Sequence, residues 1–119
     1  MMKILKPYFQ SKDARGGILG ICQFDWMREI NYIESLTGSK RGGHYHKKTT
    51  ELFFIIEGEI KIEVKSLKTS KVKETTVAKG DIFILEPLEV HTFHILKDAK
   101  WINVLSHPMD KNDPDFYYV

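Results

Sequence analysis

The segment Glu59-Ile60-Lys61-Ile62-Glu63-Val64-Lys65 alternates charged and apolar residues without a break. That period of two constrains the fold more than any other feature of the chain. Side chains of an extended backbone point alternately to opposite faces, so Ile60, Ile62 and Val64 are expected against a core and the four charges in water. A helix would scatter the same residues around its circumference. From Gly20 onward other short apolar or alternating runs follow, divided by turn residues, and none keeps a helical period for three turns. Strands are expected at 18–24, 30–36, 52–56, 72–77, 81–85, 91–96 and 101–105. The run 72–77 is the expected hairpin partner of 59–65, with 66–71 as the solvated hairpin end, and Gly58 is read as the tight turn that introduces the strand. About eight short strands at this spacing describe an all-β jelly roll or barrel.

Composition narrows the function classes. The 119 residues, 42% hydrophobic and 29% charged, suit one domain spanning 1–119 and are too apolar for a disordered chain. A net charge of +2, with lysines scattered rather than clustered, argues against a nucleic-acid or membrane-surface partner. Cys22 stands alone, so neither a disulfide framework nor a cysteine-based zinc motif is available. The start Met1-Met2-Lys3-Ile4-Leu5-Lys6-Pro7 lacks an apolar stretch of signal or membrane-spanning length. A cytoplasmic protein is expected.

His44 and His46 lie two residues apart, which on a strand aims both imidazoles at one face, where they can grip one object. Glu51 follows after Lys47-Lys48-Thr49-Thr50 and opens the apolar run Leu52-Phe53-Phe54-Ile55-Ile56, so a turn is expected to return it beside the histidines. Gly38, His44-Tyr45-His46, Glu51 and Gly58 match the first signature of the cupin β-barrel at each fixed spacing, and Gly80, Pro87 and His91 resemble the second. This resemblance implies a single-domain cupin jelly-roll barrel, with His91 joining His44, His46 and Glu51 in one cavity. Buried imidazoles and a buried carboxylate are costly without partners, and a divalent metal would satisfy them; the mixed N and O donors suit Zn, Fe, Mn or Ni alike. Two positions depart from the second signature: Leu88 stands where glycine is usual, and Ile95 where asparagine is usual. His94 has the opposite parity to His91 and is expected to face outward. His107, in a proline-containing turn, is expected to be exposed.

Within the cupins the chain resembles those that act on nucleotide-linked 4-keto sugars for bacterial surface polysaccharides. Asp13-Ala14-Arg15-Gly16 is similar to the Asp-x-Arg-Gly opening of the dTDP-4-dehydrorhamnose 3,5-epimerases, as are Ile30-Asn31-Tyr32-Ile33-Glu34-Ser35 and Arg41-Gly42-Gly43-His44-Tyr45 to two of their later elements. The run from Arg41 to Lys47 also resembles the dTDP-sugar 3,4-ketoisomerases. The tail Asp110-Lys111-Asn112-Asp113-Pro114-Asp115-Phe116-Tyr117 looks like the ending of the cupin domain in capsular reductase-epimerases. These resemblances imply an epimerase or ketoisomerase of a nucleotide-linked 4-keto-deoxy sugar. His44 would be the base and His46 the acid, with Arg41 and Arg15 on phosphate or keto oxygens. A histidine whose lone pair holds a metal cannot also take a proton; in that case Tyr32, Lys47 or a metal-bound water would move it. The intact Glu51 favours the metal-containing branch. Two other readings compete: a different metal-dependent cupin enzyme, and a non-catalytic sugar-binding or accessory cupin. Phe116-Tyr117-Tyr118 is expected to pack back onto the barrel or onto a second subunit, and a homodimer is expected.

Overall fold

The computed structural model describes residues 1–119. It is built of strands alone: β1 (Lys3–Leu5), β2 (Phe9–Asp13), β3 (Gly16–Gly20), β4 (Glu29–Ser35), β5 (Lys40–Tyr45), β6 (Glu51–Ser66), β7 (Val72–Ala78), β8 (Ile82–Leu85), β9 (Glu89–Leu105) and β10 (Tyr117–Tyr118). No helix is long and apolar enough to cross a membrane. Two very long strands, β6 and β9, pair antiparallel with each other along nearly their whole length and organise everything else. Their Glu51–Ile55 and Trp101–Leu105 ends join β4, β8 and β1 in a first sheet. Their other ends join β7, β5 and β10 in a second.

The change of sheet explains Gly58. The register of β6 against β9 slips between Ile55 and Ile60, and Gly58 holds a φ of +98° there, where a Cβ would stand 2.6 Å from the Cα of Ala99. Gly58 is therefore a bulge inside one strand, not the expected turn between two, and the bulge bends the ladder from one sheet into the next. The expected gap at 97–100 likewise vanishes, because β9 runs through it.

The barrel interior holds Phe53, Ile55, Phe83, Phe93 and Trp101 together with Ile60, Ile62 and Val64, the three residues whose alternation marked them as inward. Each is almost fully buried, contributing about 1.5–3 kcal/mol against solvent exposure. A second apolar cluster, Leu52, Ile82, Ile84 and Val104, lies on the outer face of the first sheet under Ile21, Cys22 and Trp26. This is why 52–56 reads as a continuous apolar run: that sheet is covered on both faces. The strand expected over 18–24 stops at Gly20 so that the following residues can provide the cover. β2 and β3 form a separate hairpin, exposed along most of its length. The hairpin β6–β7 is as expected, with Ile62 opposite Thr75.

Candidate functional site

His44 is the last but one residue of β5 and stands opposite His91 of β9. The β5 register slips between Gly42 and His44, with Gly42 and Gly43 both at positive φ. Gly42 has no alternative, since an added Cβ would collide with the His91 carbonyl. His46 follows the strand on the loop toward β6, and its ring returns to the same cavity, as the two-residue spacing predicts. The His44 and His91 ring centroids are 4.6 Å apart, His44 and His46 5.2 Å, and His46 and His91 5.5 Å. One ring nitrogen from each lies within 4.8 Å of the others. Glu51, the first residue of β6, is buried and touches His46 Nε2 with Oε1. It thus joins the triad through His46.

The second ring nitrogens are also placed. His46 Nδ1 lies 2.5 Å from the Asp115 carbonyl and His91 Nδ1 3.1 Å from the Glu89 carbonyl. A carbonyl only accepts, so each Nδ1 carries the proton and each Nε2 is turned to the cavity. Burial, helped by the neighbouring His91 and His46, pushes His44 down to about 4. Burial also lowers His91, more than Glu51 and the Glu89 carbonyl restore. His46 behaves oppositely: burial lowers it, but the Glu51 carboxylate and the Asp115 carbonyl outweigh that and leave it raised. For Glu51, burial is outweighed by the facing histidines, so its carboxyl is lowered. The cavity thus biases His44 and His91 toward the neutral form and His46 with Glu51 toward the charged pair.

These atoms line a cavity of about 850 Å³ between the two sheets, a size suited to a small organic ligand. The tail closes one side. After β9 it runs past Glu29, whose Oε1 accepts the Met109 N–H at 2.9 Å. It returns over the triad with Phe116 at 4.6 Å from His44 and 4.8 Å from His46, and pairs as β10 with β5. Asp115 is the pin. Its carboxylate accepts the N–H groups of Lys47, Lys48 and Thr49 at 2.9, 2.8 and 2.9 Å and the Thr49 hydroxyl at 3.0 Å. Burial raises its carboxyl, yet these donors outweigh it and hold it below its usual range.

The other residues singled out in the sequence are placed less uniformly. Arg41 lines the cavity with its guanidinium tied to Ser35 Oγ at 2.5 Å and the Glu34 carbonyl at 3.1 Å. Tyr32 borders the rim, but on β4 it alternates outward between Asn31 and Ile33, and its hydroxyl donates to Glu34 at 2.9 Å. Lys47 lies over the outer face of Tyr117, 4.2 Å from the ring centroid; Lys48 and Lys40 border the cavity instead. Arg15 does not line the cavity: it sits at the β2–β3 turn, paired with Asp13 at 2.7 Å. His94 pairs with Glu63 at 3.0 Å on the outward side, and His107 is exposed. Leu88 has a φ of +65°, so the turn keeps the left-handed geometry that glycine usually supplies. Asp115 and the amides of Asn31 and Asn103 were not read as site residues. Their only local signal is that short polar side chains occupy inward positions.

The donor set fits a divalent cation. His46 and His91 have Nδ1 fixed by carbonyls, which leaves each Nε2 as the possible ligand atom, that of His46 once it gives up its proton; a third ring nitrogen is near, and the Glu51 carboxylate touches His46 Nε2. His44, His46 and His91 would hold it, with Glu51 able to join.

Residues 11–117 match the model of the polysaccharide biosynthesis C-terminal domain family. No curated protein matches the chain. Among solved structures, QdtA, a sugar 3,4-ketoisomerase from Thermoanaerobacterium thermosaccharolyticum in complex with TDP, superposes with a TM-score of 0.82 at 19% identity, covering 99% of this chain and 88% of QdtA. A dTDP-4-dehydrorhamnose 3,5-epimerase from Elizabethkingia anophelis gives 0.82 at 18% identity, covering 99% of this chain and 74% of the other. The capsular polysaccharide assembling protein CapF from Staphylococcus aureus gives 0.73 at 21% identity; 98% of this chain is covered, but only 34% of CapF. The barrel, the triad at its mouth and the match over 11–117 together place this chain in the polysaccharide biosynthesis C-terminal domain family, with the cupin fold.

Proposed function

We propose that this protein epimerises or isomerises a nucleotide-linked 4-keto-deoxy sugar used in surface-polysaccharide biosynthesis. The geometry that carries the reading is His44 facing His46 in one cavity, their ring centroids 5.2 Å apart, with His46 in contact with Glu51; burial lowers His44, whereas at His46 the Glu51 carboxylate outweighs burial and raises it. A C4 ketone acidifies the C3 proton. His44 removes that proton, the C3–H electron pair moves into an enediolate whose charge rests on the C4 oxygen, and His46 returns a proton to carbon or oxygen. Glu51 keeps His46 charged for the second step, and the Asp115 carbonyl fixes its ring. Arg41 supplies positive charge at the rim for phosphate or keto oxygen. The family description and the activities of QdtA and the 3,5-epimerase support this substrate class.

The donor geometry supports a second reading, in which His44, His46 and His91, with Glu51, hold a divalent metal. A bound metal would supply Lewis acidity toward the keto oxygen. His44 would then not be the base. A homodimer completes the proposal, and sedimentation velocity tests it.

The deciding experiment incubates the protein in D2O with TDP- or UDP-linked 4-keto-6-deoxyglucose and follows C3 and C5 by NMR. Exchange lost in His44→Asn protein with metal content unchanged supports His44 as base. Absence of exchange with either sugar, from folded protein, removes the epimerase or isomerase reading.

A further inference from the structure

Glu89 carries a buried carboxylate that the chemistry above leaves unused: its side chain is 5% exposed and does not line the cavity. Its Oε1 accepts the Glu86 N–H at 2.7 Å across the turn that joins β8 to β9. Its Oε2 makes no hydrogen bond and lies 3.4 Å from the Met1 nitrogen. A buried carboxylate is costly to keep, and a charged acceptor makes one of the stronger hydrogen bonds that a backbone N–H can find.

That turn touches His46, Glu51 and His91. Leu85, the last residue of β8, pairs with Glu51. The Leu88 N–H donates to the His46 carbonyl at 2.8 Å, and the Leu88 carbonyl accepts the Leu67 N–H at 2.9 Å. The Glu89 carbonyl accepts the His91 Nδ1–H at 3.1 Å. Leu88 holds a φ of +65° in the middle of the turn, a conformation that costs a leucine about 1–2 kcal/mol and that glycine adopts freely. The turn therefore does not close on its own backbone preference. It is held by the bonds around it, and the one from Glu86 N–H to Glu89 Oε1 spans it from end to end.

We propose that Glu89 is a positioning residue: its carboxylate closes the 86–89 turn, and the closed turn aims the Glu89 carbonyl at His91 Nδ1 and the Leu88 N–H at the His46 carbonyl. Without that closure the His91 ring loses the acceptor that keeps its proton on Nδ1, and the other neutral tautomer, protonated on Nε2, becomes populated. A proton on Nε2 takes away the lone pair that His91 turns to the cavity. The consequence for turnover deepens the isomerase reading and rests on it, whereas the orientation of the ring stands by itself.

The test compares Glu89→Gln with Glu89→Met, two uncharged side chains of similar length of which only glutamine offers an oxygen acceptor. The chain has five histidines, and in two-bond 1H–15N spectra at neutral pH the His91 ring is the set of cross-peaks missing from His91→Gln protein. Wild type and Glu89→Gln should show His91 protonated on Nδ1 alone; Glu89→Met, with wild-type circular dichroism, should show a mixture with Nε2 protonated. With TDP-4-keto-6-deoxyglucose, deuterium exchange in Glu89→Met should lose about tenfold in kcat with KM within about twofold, and Glu89→Gln should stay near wild type. An unchanged His91 tautomer in Glu89→Met overturns the proposal. So does a Glu89→Gln protein that matches Glu89→Met, since the charge facing the Met1 nitrogen would then be what counts. Should Glu89→Met fail to fold, the wild-type protein decides: the Glu86 amide should exchange slowly with solvent, and exchange as fast as an open loop overturns the closure. Absence of C3 and C5 exchange in the wild type removes the isomerase reading, while the tautomer still decides the role of Glu89.

Discussion

Replacing Asp115 with alanine removes the acceptor of three backbone N–H groups and one hydroxyl at a stroke. Lys47 and Lys48 are exposed, so water takes over their N–H groups and each loss counts only about 0.5 kcal/mol. Thr49 is 5% exposed. Its N–H and hydroxyl lose a charged acceptor in a place water does not reach freely, which costs about 2 kcal/mol. The sum is about 3 kcal/mol. With a urea dependence of about 1.5 kcal/mol per molar for a domain of this size, the unfolding midpoint should fall by about 2 M at pH 7. The carboxyl is held below its ordinary value of 3.8. Its contribution is therefore complete above that value and is lost as pH falls through the folded value, so wild type and Asp115→Ala should converge toward acid pH. Asp115→Asn keeps one side-chain acceptor and should recover roughly half. If alanine and asparagine variants both unfold within 0.2 M of wild type, the tail is not pinned by this carboxylate and the reasoning fails.

Other outcomes follow from the same structure. Gly58→Ala must place a Cβ against Ala99 at a φ of +98°; it should lose about 3 kcal/mol or more by thermal unfolding, while a loss under 1 would show that the bulge is not required. Leu88→Gly relieves a left-handed conformation and should gain about 0.5–1 kcal/mol, read as a raised urea midpoint. Because His44 sits near 4, the base should stay competent well below pH 6.5, and the acid limb of the exchange rate should fall off as pH drops toward 4. A limb centred at 6.5 would contradict that environment. His91→Ala should abolish any metal uptake measured by inductively coupled plasma analysis, and unchanged uptake would remove the metal reading.

The parts of this site that were legible in the sequence are those with a local pattern. Alternation through Ile60, Ile62 and Val64 gave the inward face of β6, and the His44/His46 spacing gave a shared direction. What escaped lies where the pattern is broken by geometry. Gly58 looked like punctuation because a bulge and a turn ask for the same positive φ; only the partner strand tells them apart. Lys97 and Asp98 looked like a loop because that stretch of β9 is exposed at the crossover between sheets. β1 and β2 carry little alternation, and β2 is exposed throughout. Asp115 acts on residues 66 to 68 positions away, a separation that no window of local sequence spans. Tyr32 came with a motif resemblance, yet its parity on β4 turns the hydroxyl outward.

β6 and β9 each supply backbone to both sheets, which has a consequence for how a ligand gets in. A jaw that opened would have to tear its own continuous ribbons at the bend, so the two walls cannot hinge apart. The terminal stretch from Ser106 onward is secured by a few side-chain bonds and a two-residue strand. A ligand therefore meets a chamber of fixed width, with the tail as one bank and Tyr32, Lys40 and Arg41 along the open rim.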